Sequence, residues 1–106
     1  MAPLISQMSS IIRNPALKKK FTDVFNASMP ELEHRAYMEL VKRELMHVES
    51  EMFKIASKHG VKDAIELDAW FKEGRISEAE GWEDFFTLDS LEHKRTILKE
   101  ILQELS

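Results

Sequence analysis

Several residue types that stabilise small proteins or interrupt helices are rare or missing from this sequence. Its 106 residues include no cysteine, three glycines and three prolines. The lack of cysteine excludes disulfides and thiolate metal sites. A chain too short to bury a large core must then cover its remaining apolar surface in another way. We therefore expect it to form a homodimer or higher oligomer, or to bind another protein.

Long apolar runs are also missing, which excludes a membrane-spanning helix. Residues 1–10 have neither the basic start nor the apolar core of a signal peptide. The sequence thus predicts a cytoplasmic protein. Asparagine and glutamine are scarce while Glu and Lys are abundant, a composition that leans toward a thermophile, although six methionines argue against this interpretation.

Charge is distributed unevenly along the chain. Residues 1–26 carry a net charge of +3 and the remainder −7. We expect one domain, with a basic N-terminal helical arm over residues 1–27 and a hairpin body over residues 28–106. The arm has too few lysines for a typical nucleic-acid-binding surface. A solvated helix face is therefore preferred over contact with nucleic acid or with another acidic surface.

The first helix boundaries are marked by a cap and a proline. Asn14-Pro15 combines an N-cap with a proline at the first helical position, where no hydrogen bond is lost. This pair predicts a helix that ends near Asn26. A further short helix is expected over residues 3–12.

The next helix is long and carries a coiled-coil seam. Ser28 and Glu31 fit a capping box, and no breaker occurs before Gly60, so we expect a continuous helix from about Met29 to His59. Apolar residues recur along it at alternating spacings of 4 and 3. The expected oligomer seam contains Val41, Leu45, Val48, Met52 and Ile55. A second apolar flank, which indicates a second neighbour, contains Met38, Met46 and Phe53.

Two further helices complete the pattern. A short helix is expected over residues 62–73, ended by Gly74, and Ser77-Glu78-Ala79-Glu80 fits a second capping box. Gly81 in the first turns of the last helix costs up to ~1 kcal/mol relative to Ala, which predicts fraying there. The sequence thus predicts an all-α fold: a long antiparallel helical hairpin with a short corner helix and one or two N-terminal helices, forming a dimeric bundle.

Two Glu-x-x-His pairs offer a route to metal binding. They are Glu31 with His34 and Glu44 with His47, a spacing that serves di-iron sites in ferritin-like bundles. Such a site also requires carboxylates on facing helices, whereas both pairs lie on one helix. A symmetric dimer would bring two copies of Glu44 and His47 together, so a metal-binding four-helix assembly stays an alternative. We expect no bound metal or cofactor.

No catalytic residue emerges from the remaining pattern. The histidines lack the cysteine or serine neighbours of a nucleophilic site, so enzyme activity is not expected. Aromatic residues are instead concentrated between positions 70 and 86. They are the candidate partner-binding residues Trp70, Phe71, Trp82, Phe85 and Phe86. Packing of the corner helix against the hairpin is the preferred interpretation, and a surface of interface anchors is the alternative.

The C-terminal half resembles a group of small, mainly archaeal helical proteins thought to be antitoxin-like partners of ribonuclease toxins. The resemblance covers about residues 30–105. Its motifs are Lys58-His59-Gly60, Glu66-Leu67, Lys72-Glu73-Gly74, Trp82-Glu83-Asp84 and the leucine-rich stretch from Leu88 to Leu102. It implies a non-enzymatic protein-binding module, such as an antitoxin that masks a toxin, and supplies no catalytic residues. A purely structural oligomer is a further alternative.

Overall fold

Every regular element in the described part of the chain is an α-helix. The computed structural model describes residues 12–106, and its helices are α1 (Pro15–Phe25), α2 (Met29–His59), α3 (Ala64–Lys72) and α4 (Glu78–Leu105). The all-α prediction is confirmed. None of these helices combines the length and the apolar character needed to cross a membrane. The short helix expected over residues 3–12 lies outside the described residues, apart from its last position.

The chain divides into two compact units. The first ends at Tyr37 and the second runs from Met38 to Ser106, so the division falls within α2. The uneven charge predicts a boundary between a basic arm and an acidic body at residues 27 and 28. That boundary stays a prediction.

In the first unit, α1 is bounded by an asparagine at each end. Oδ1 of Asn14 accepts hydrogen bonds from the backbone N–H groups of Ala16 and Leu17, at 2.9 and 3.3 Å. Pro15 takes the first helical position, and Asn26 adopts the left-handed conformation with φ of 50°. Both predicted ends of this helix are confirmed.

The long helix α2 is continuous from Met29 to His59, as predicted. At its start, Oγ of Ser28 accepts a hydrogen bond from the backbone N–H of Glu31 at 3.3 Å. This bond is the serine half of the predicted capping box, and it satisfies one of the N–H groups that a helix start leaves without an intrahelical partner.

Two turns of the same kind enclose α3. Gly60 after α2 and Gly74 after α3 have φ of 69° and 78°, a left-handed conformation that costs glycine nothing because it lacks Cβ. The N–H groups of Val61 and Arg75 each donate to the carbonyl five residues earlier, at 2.9 Å. Each turn is therefore a Schellman motif. Val61 is also buried, which fixes the first turn to the core.

The caps of the last two helices differ from the sequence-based expectation. α3 begins at Ala64 because Oδ1 of Asp63 accepts the N–H of Glu66 at 2.9 Å, a cap that the sequence analysis missed. Ser77 does precede α4, but its side chain makes no capping hydrogen bond, so the second capping box is wrong. Its backbone carbonyl accepts the N–H of Gly81 at 2.8 Å, the first intrahelical bond of α4, and the acidic first turn complements the helix dipole.

Within the second unit, α2 and α4 form an antiparallel hairpin. Nζ of Lys94 lies 2.7 Å from Oε1 of Glu44, and Nζ of Lys58 lies 3.0 Å from Oδ2 of Asp84. The partner position on α4 falls as the position on α2 rises, which requires opposite helix directions. The hairpin part of the predicted architecture is confirmed.

A single apolar core fills the hairpin and its corner. The fully buried side chains are Val48, Leu67 and Leu88, one from each of α2, α3 and α4. All five seam residues belong to this core: Val41, Val48 and Met52 are buried, and Leu45 and Ile55 pack against them. The seam is thus covered by other helices of its own chain, and its part in oligomer formation stays a prediction.

Asp84 joins the end of α2 to the start of α4. Nε2 of His59 lies 2.5 Å from its Oδ2, and the two side chains are only 6% and 18% exposed. Partial burial alone would raise the pKa of Asp84, but the hydrogen bonds from His59 and Lys58 outweigh it and hold that pKa below its ordinary value. The carboxylate therefore favours the folded hairpin while it is ionised.

We expect Asp84→Asn to lower the free energy of unfolding at pH 7 by about 1–3 kcal/mol, since it removes hydrogen bonds to a charged group. A lowered folded-state pKa contributes stability that is present above the unfolded-state pKa and lost as the pH falls through the folded-state pKa. The difference between wild type and variant should therefore shrink below about pH 4. Urea denaturation between pH 2.5 and 7 measures it. Asp89→Asn, at an exposed position of α4, is the control; an equal loss there would refute the special role of Asp84.

Candidate partner-binding corner

Four of the five candidate aromatic residues are joined by ring contacts where α3 meets α4. The ring centroids of Phe71 and Trp82 are 5.2 Å apart in an edge-to-face arrangement. Trp82 stacks on Phe86 at 5.2 Å, and Phe86 meets the edge of Phe85 at 5.5 Å. Offset-stacked and edge-to-face pairs of this kind stabilise beyond their buried area. We call Trp70, Phe71, Trp82, Phe85 and Phe86 the aromatic corner.

The aromatic corner has an inner and an outer part. Trp70 and Phe85 pack against the buried core, and the guanidinium of Arg75 lies 5.0 Å from the centre of the Trp70 ring, a cation–π contact. Trp82 and Phe86 are 45% and 56% exposed. The two interpretations of these aromatics therefore apply to different residues: the inner rings serve the core, and the outer pair forms a surface.

Gly81 explains how the outer pair is held. It is buried, and a Cβ at this position would lie 2.6 Å from Cδ2 of Phe71 and 3.4 Å from Cγ2 of Ile76. The Phe71 ring therefore occupies the space that a side chain on α4 would fill, and it supports the neighbouring Trp82. Helix propensity predicts fraying at Gly81 and does not reveal this contact, although a glycine inside an otherwise regular helix is the signal of a close approach.

The outer part of the aromatic corner lies in a stretch of sequence rich in carboxylates. Residues 76–92 contain no Lys or Arg and six carboxylates: Glu78, Glu80, Glu83, Asp84, Asp89 and Glu92. The hydrogen bond and charge of Asp84 raise the pKa of Lys58, and Glu80 and Glu83 act in the same direction. Glu92 is used structurally, because its Oε2 accepts the backbone N–H of Ala64 at 2.9 Å. The exposed aromatic pair thus lies in an acidic region.

One of the two Glu-x-x-His pairs considered for metal binding has a lysine beside its carboxylate. Glu44 accepts a hydrogen bond from Lys94, which holds the pKa of Glu44 below its ordinary value. Among residues 12–106, no three His, Asp or Glu side chains are grouped as ligands for a metal ion. The carboxylate of Glu44 is therefore paired with an ammonium group in this chain.

The second apolar flank of α2 is also exposed in part. Met46 and Phe53 are 74% and 72% exposed, whereas Met38 is half-buried. A groove of about 390 Å³ lies along the hairpin near Phe53. Its apolar lining comes from Met52, Phe53, Ala56, Val61 and Leu88, and Glu49, Ser57, Lys62 and Arg95 complete the rim.

These features define a class: a small all-α protein whose described residues offer an aromatic, acidic surface. Residues 4–106 match the model of the Uncharacterized protein MJ0235 family, so the chain belongs to that family. No curated protein and no solved structure matches it.

We expect Gly81→Ala to destabilise the protein although alanine is the better helix former. The gain in helix propensity is about 1 kcal/mol, but forcing a methyl group against the Phe71 ring costs roughly 1–3 kcal/mol. The melting temperature should fall by several degrees, and the fluorescence of Trp82 should change. Ser90→Ala, at an exposed site of α4, is the control and should not lower the melting temperature. A rise for Gly81→Ala would show that the ring moves away freely.

Proposed function

We propose that this protein is a non-enzymatic module that binds another protein through the outer part of the aromatic corner. The observation that carries the proposal is the stacked pair Trp82 and Phe86, about half exposed on a corner whose inner rings belong to the core. A folded protein gains stability by burying such rings, so their exposure suggests that something else covers them.

The outer pair has the properties of interface anchors. Large aromatic side chains are enriched among the few residues that dominate binding energy. Trp82 is held by Phe71 on one side and Phe86 on the other. The Trp82 side chain therefore has little rotamer freedom to lose on binding. Preorganisation of this kind favours affinity.

The acidic surroundings indicate the chemistry of the partner. Six carboxylates without Lys or Arg in residues 76–92 would repel nucleic acid and attract a basic protein surface. An RNA-cleaving protein must present such a surface to hold phosphates. Together with the resemblance to antitoxin-like proteins, this favours a cytoplasmic antitoxin that masks a ribonuclease-type toxin.

The affinity of Phe86→Ala for this partner should be at least tenfold lower, since truncating a central aromatic anchor typically costs 2 kcal/mol or more. The measurement is capture from an extract of the native host by the purified chain, followed by an assay of RNA cleavage in the captured fraction. We expect a captured nuclease that is inactive in the complex. Phe25→Ala, at a site 53% exposed outside the aromatic corner, is the matched control.

Three results would contradict this proposal. The first is that Phe86→Ala and Trp82→Ala both unfold the chain while neither changes which partner is captured, which would make the pair structural. The second is that the wild type captures no nuclease. The third is that the wild type shifts duplex DNA at sub-micromolar concentration, in which case the basic residues of the N-terminal arm would have the leading role.

We also propose that the chain self-associates through the exposed flank of α2. Its seam residues are covered within one chain, whereas Met46 and Phe53 are not. They are seven residues apart and so lie on one face of the helix. A two-fold pairing of this flank would cover both residues in each copy.

The double substitution Met46→Glu and Phe53→Glu should leave the helical content unchanged and shift the molecule to a monomer in sedimentation equilibrium. Like charges introduced at the centre of a two-fold interface repel, since each meets its own copy. The control adds the same charge elsewhere, through Thr96→Glu and Gln103→Glu at exposed positions of α4. A monomeric wild type at high micromolar concentration would exclude self-association.

A further inference from the structure

An apolar stripe continues from the aromatic corner along the outer face of α4. Trp82, Phe86, Ile97 and Ile101 follow spacings of 4, 11 and 4, and eleven residues are almost three helical turns. Their exposed fractions are 45%, 56%, 42% and 38%. The opposite face of α4 carries the buried Leu88 and Leu98. Within the second unit these four residues form an uncovered stripe about 28 Å long, interrupted between Phe86 and Ile97 by the polar Asp89, Ser90 and His93.

The charges on this outer face are mostly negative. Five exposed carboxylates lie three or four residues from a stripe residue: Glu78, Glu83, Asp89, Glu100 and Glu104. Among the Lys and Arg residues of α4, Lys94 alone is as near, three residues from Ile97. Lys94 is bound to Glu44 on α2, Arg95 lines the groove beside Leu88, and Lys99 is eleven residues from the buried Leu88. The outer face therefore carries an apolar pair towards each end and a net negative charge.

This charge pattern decides between two occupants. A second copy docked by two-fold symmetry would bring two identical acidic faces together, and like charges in an interface are unfavourable. A basic surface would instead pair with these carboxylates. The occupant that the charges favour is a basic partner.

The shape of the face decides the form of the partner. The backbone of α4 is hydrogen-bonded within the helix, so it offers no free edge to which an extended segment could add as a strand. A helix satisfies its own backbone and can lay apolar residues at every third or fourth position along a straight stripe. We propose that the outer face of α4 binds an amphipathic helix of about five turns with Lys and Arg beside its apolar stripe. This inference rests on the proposed protein-binding function and extends the site beyond the aromatic corner.

A designed peptide tests this directly. The probe is a 22-residue helical peptide with leucines at spacings of 3 and 4 and lysines on both sides of them. One control peptide replaces the lysines with glutamates, and another keeps the composition but scrambles the leucine positions. Titration followed by tryptophan fluorescence at 0.15 M salt should give at least tenfold tighter binding for the probe than for either control peptide.

Variants of the protein locate the site. Ile97→Ala combined with Ile101→Ala should weaken binding of the probe at least tenfold, and so should Phe86→Ala. Phe25→Ala, at an exposed site away from α4, should leave it unchanged. Binding of the probe is followed for these variants by calorimetry, and helical content by circular dichroism confirms that each is folded.

The remaining outcomes separate failure of this inference from failure of the proposed function. If Phe86→Ala weakens binding and the isoleucine pair does not, the protein-binding function stands and the extended stripe is wrong. If neither affects the probe, or the probe binds no better than its controls, the inference fails while capture of the native partner still tests the function.

A further variant, Phe53→Ala, tests the groove beside α2. Loss of binding with this variant alone would place the peptide in the groove. A change in sedimentation caused by the isoleucine pair would show that a second copy covers this face. Either result overturns the inference.

Discussion

The arrangement of the second unit depends on one carboxylate that is hydrogen-bonded to two side chains at the end of α2. Asp84 binds Lys58 and His59 one turn after Gly81, so it fixes where α4 begins relative to the end of α2. With that point fixed, Lys94 reaches Glu44 and Leu88 enters the core. Apolar packing alone tolerates sliding by a turn, whereas a partly buried ion pair does not, because an unpaired buried carboxylate is costly.

Most of the fold was predictable because its signals are local. The caps at Asn14 and Ser28 and the glycine turns at Gly60 and Gly74 depend on a few neighbouring residues and on backbone sterics. The wrong prediction at Ser77 also rests on local residue types. A capping box requires a particular side-chain rotamer as well as the right residue types, and the side chain of Ser77 makes no capping hydrogen bond.

The candidate site was predictable only as a set of residues. Composition indicates that aromatics gather between positions 70 and 86, but the division into inner and outer rings depends on how α4 is rotated about its axis. Contact between Phe71 and Gly81 sets that rotation, and it joins residues on different helices. The same limit applies to the seam: a 3.5-residue period predicts that a helix will cover these residues but does not say whether that helix belongs to the same chain.

The short corner between α2 and α4 also bears on how the chain finds its native state. Lys58 and Asp84 are 26 residues apart, whereas Glu44 and Lys94 are 50 apart. Loop-closure entropy rises by roughly 0.6 kcal/mol for each doubling of loop length. Closing the corner first leaves each later contact only a small additional loop to close. Contacts between α2 and α4 can therefore form one after another, outward from Asp84. In this order each new contact closes only a short loop, which favours fast folding.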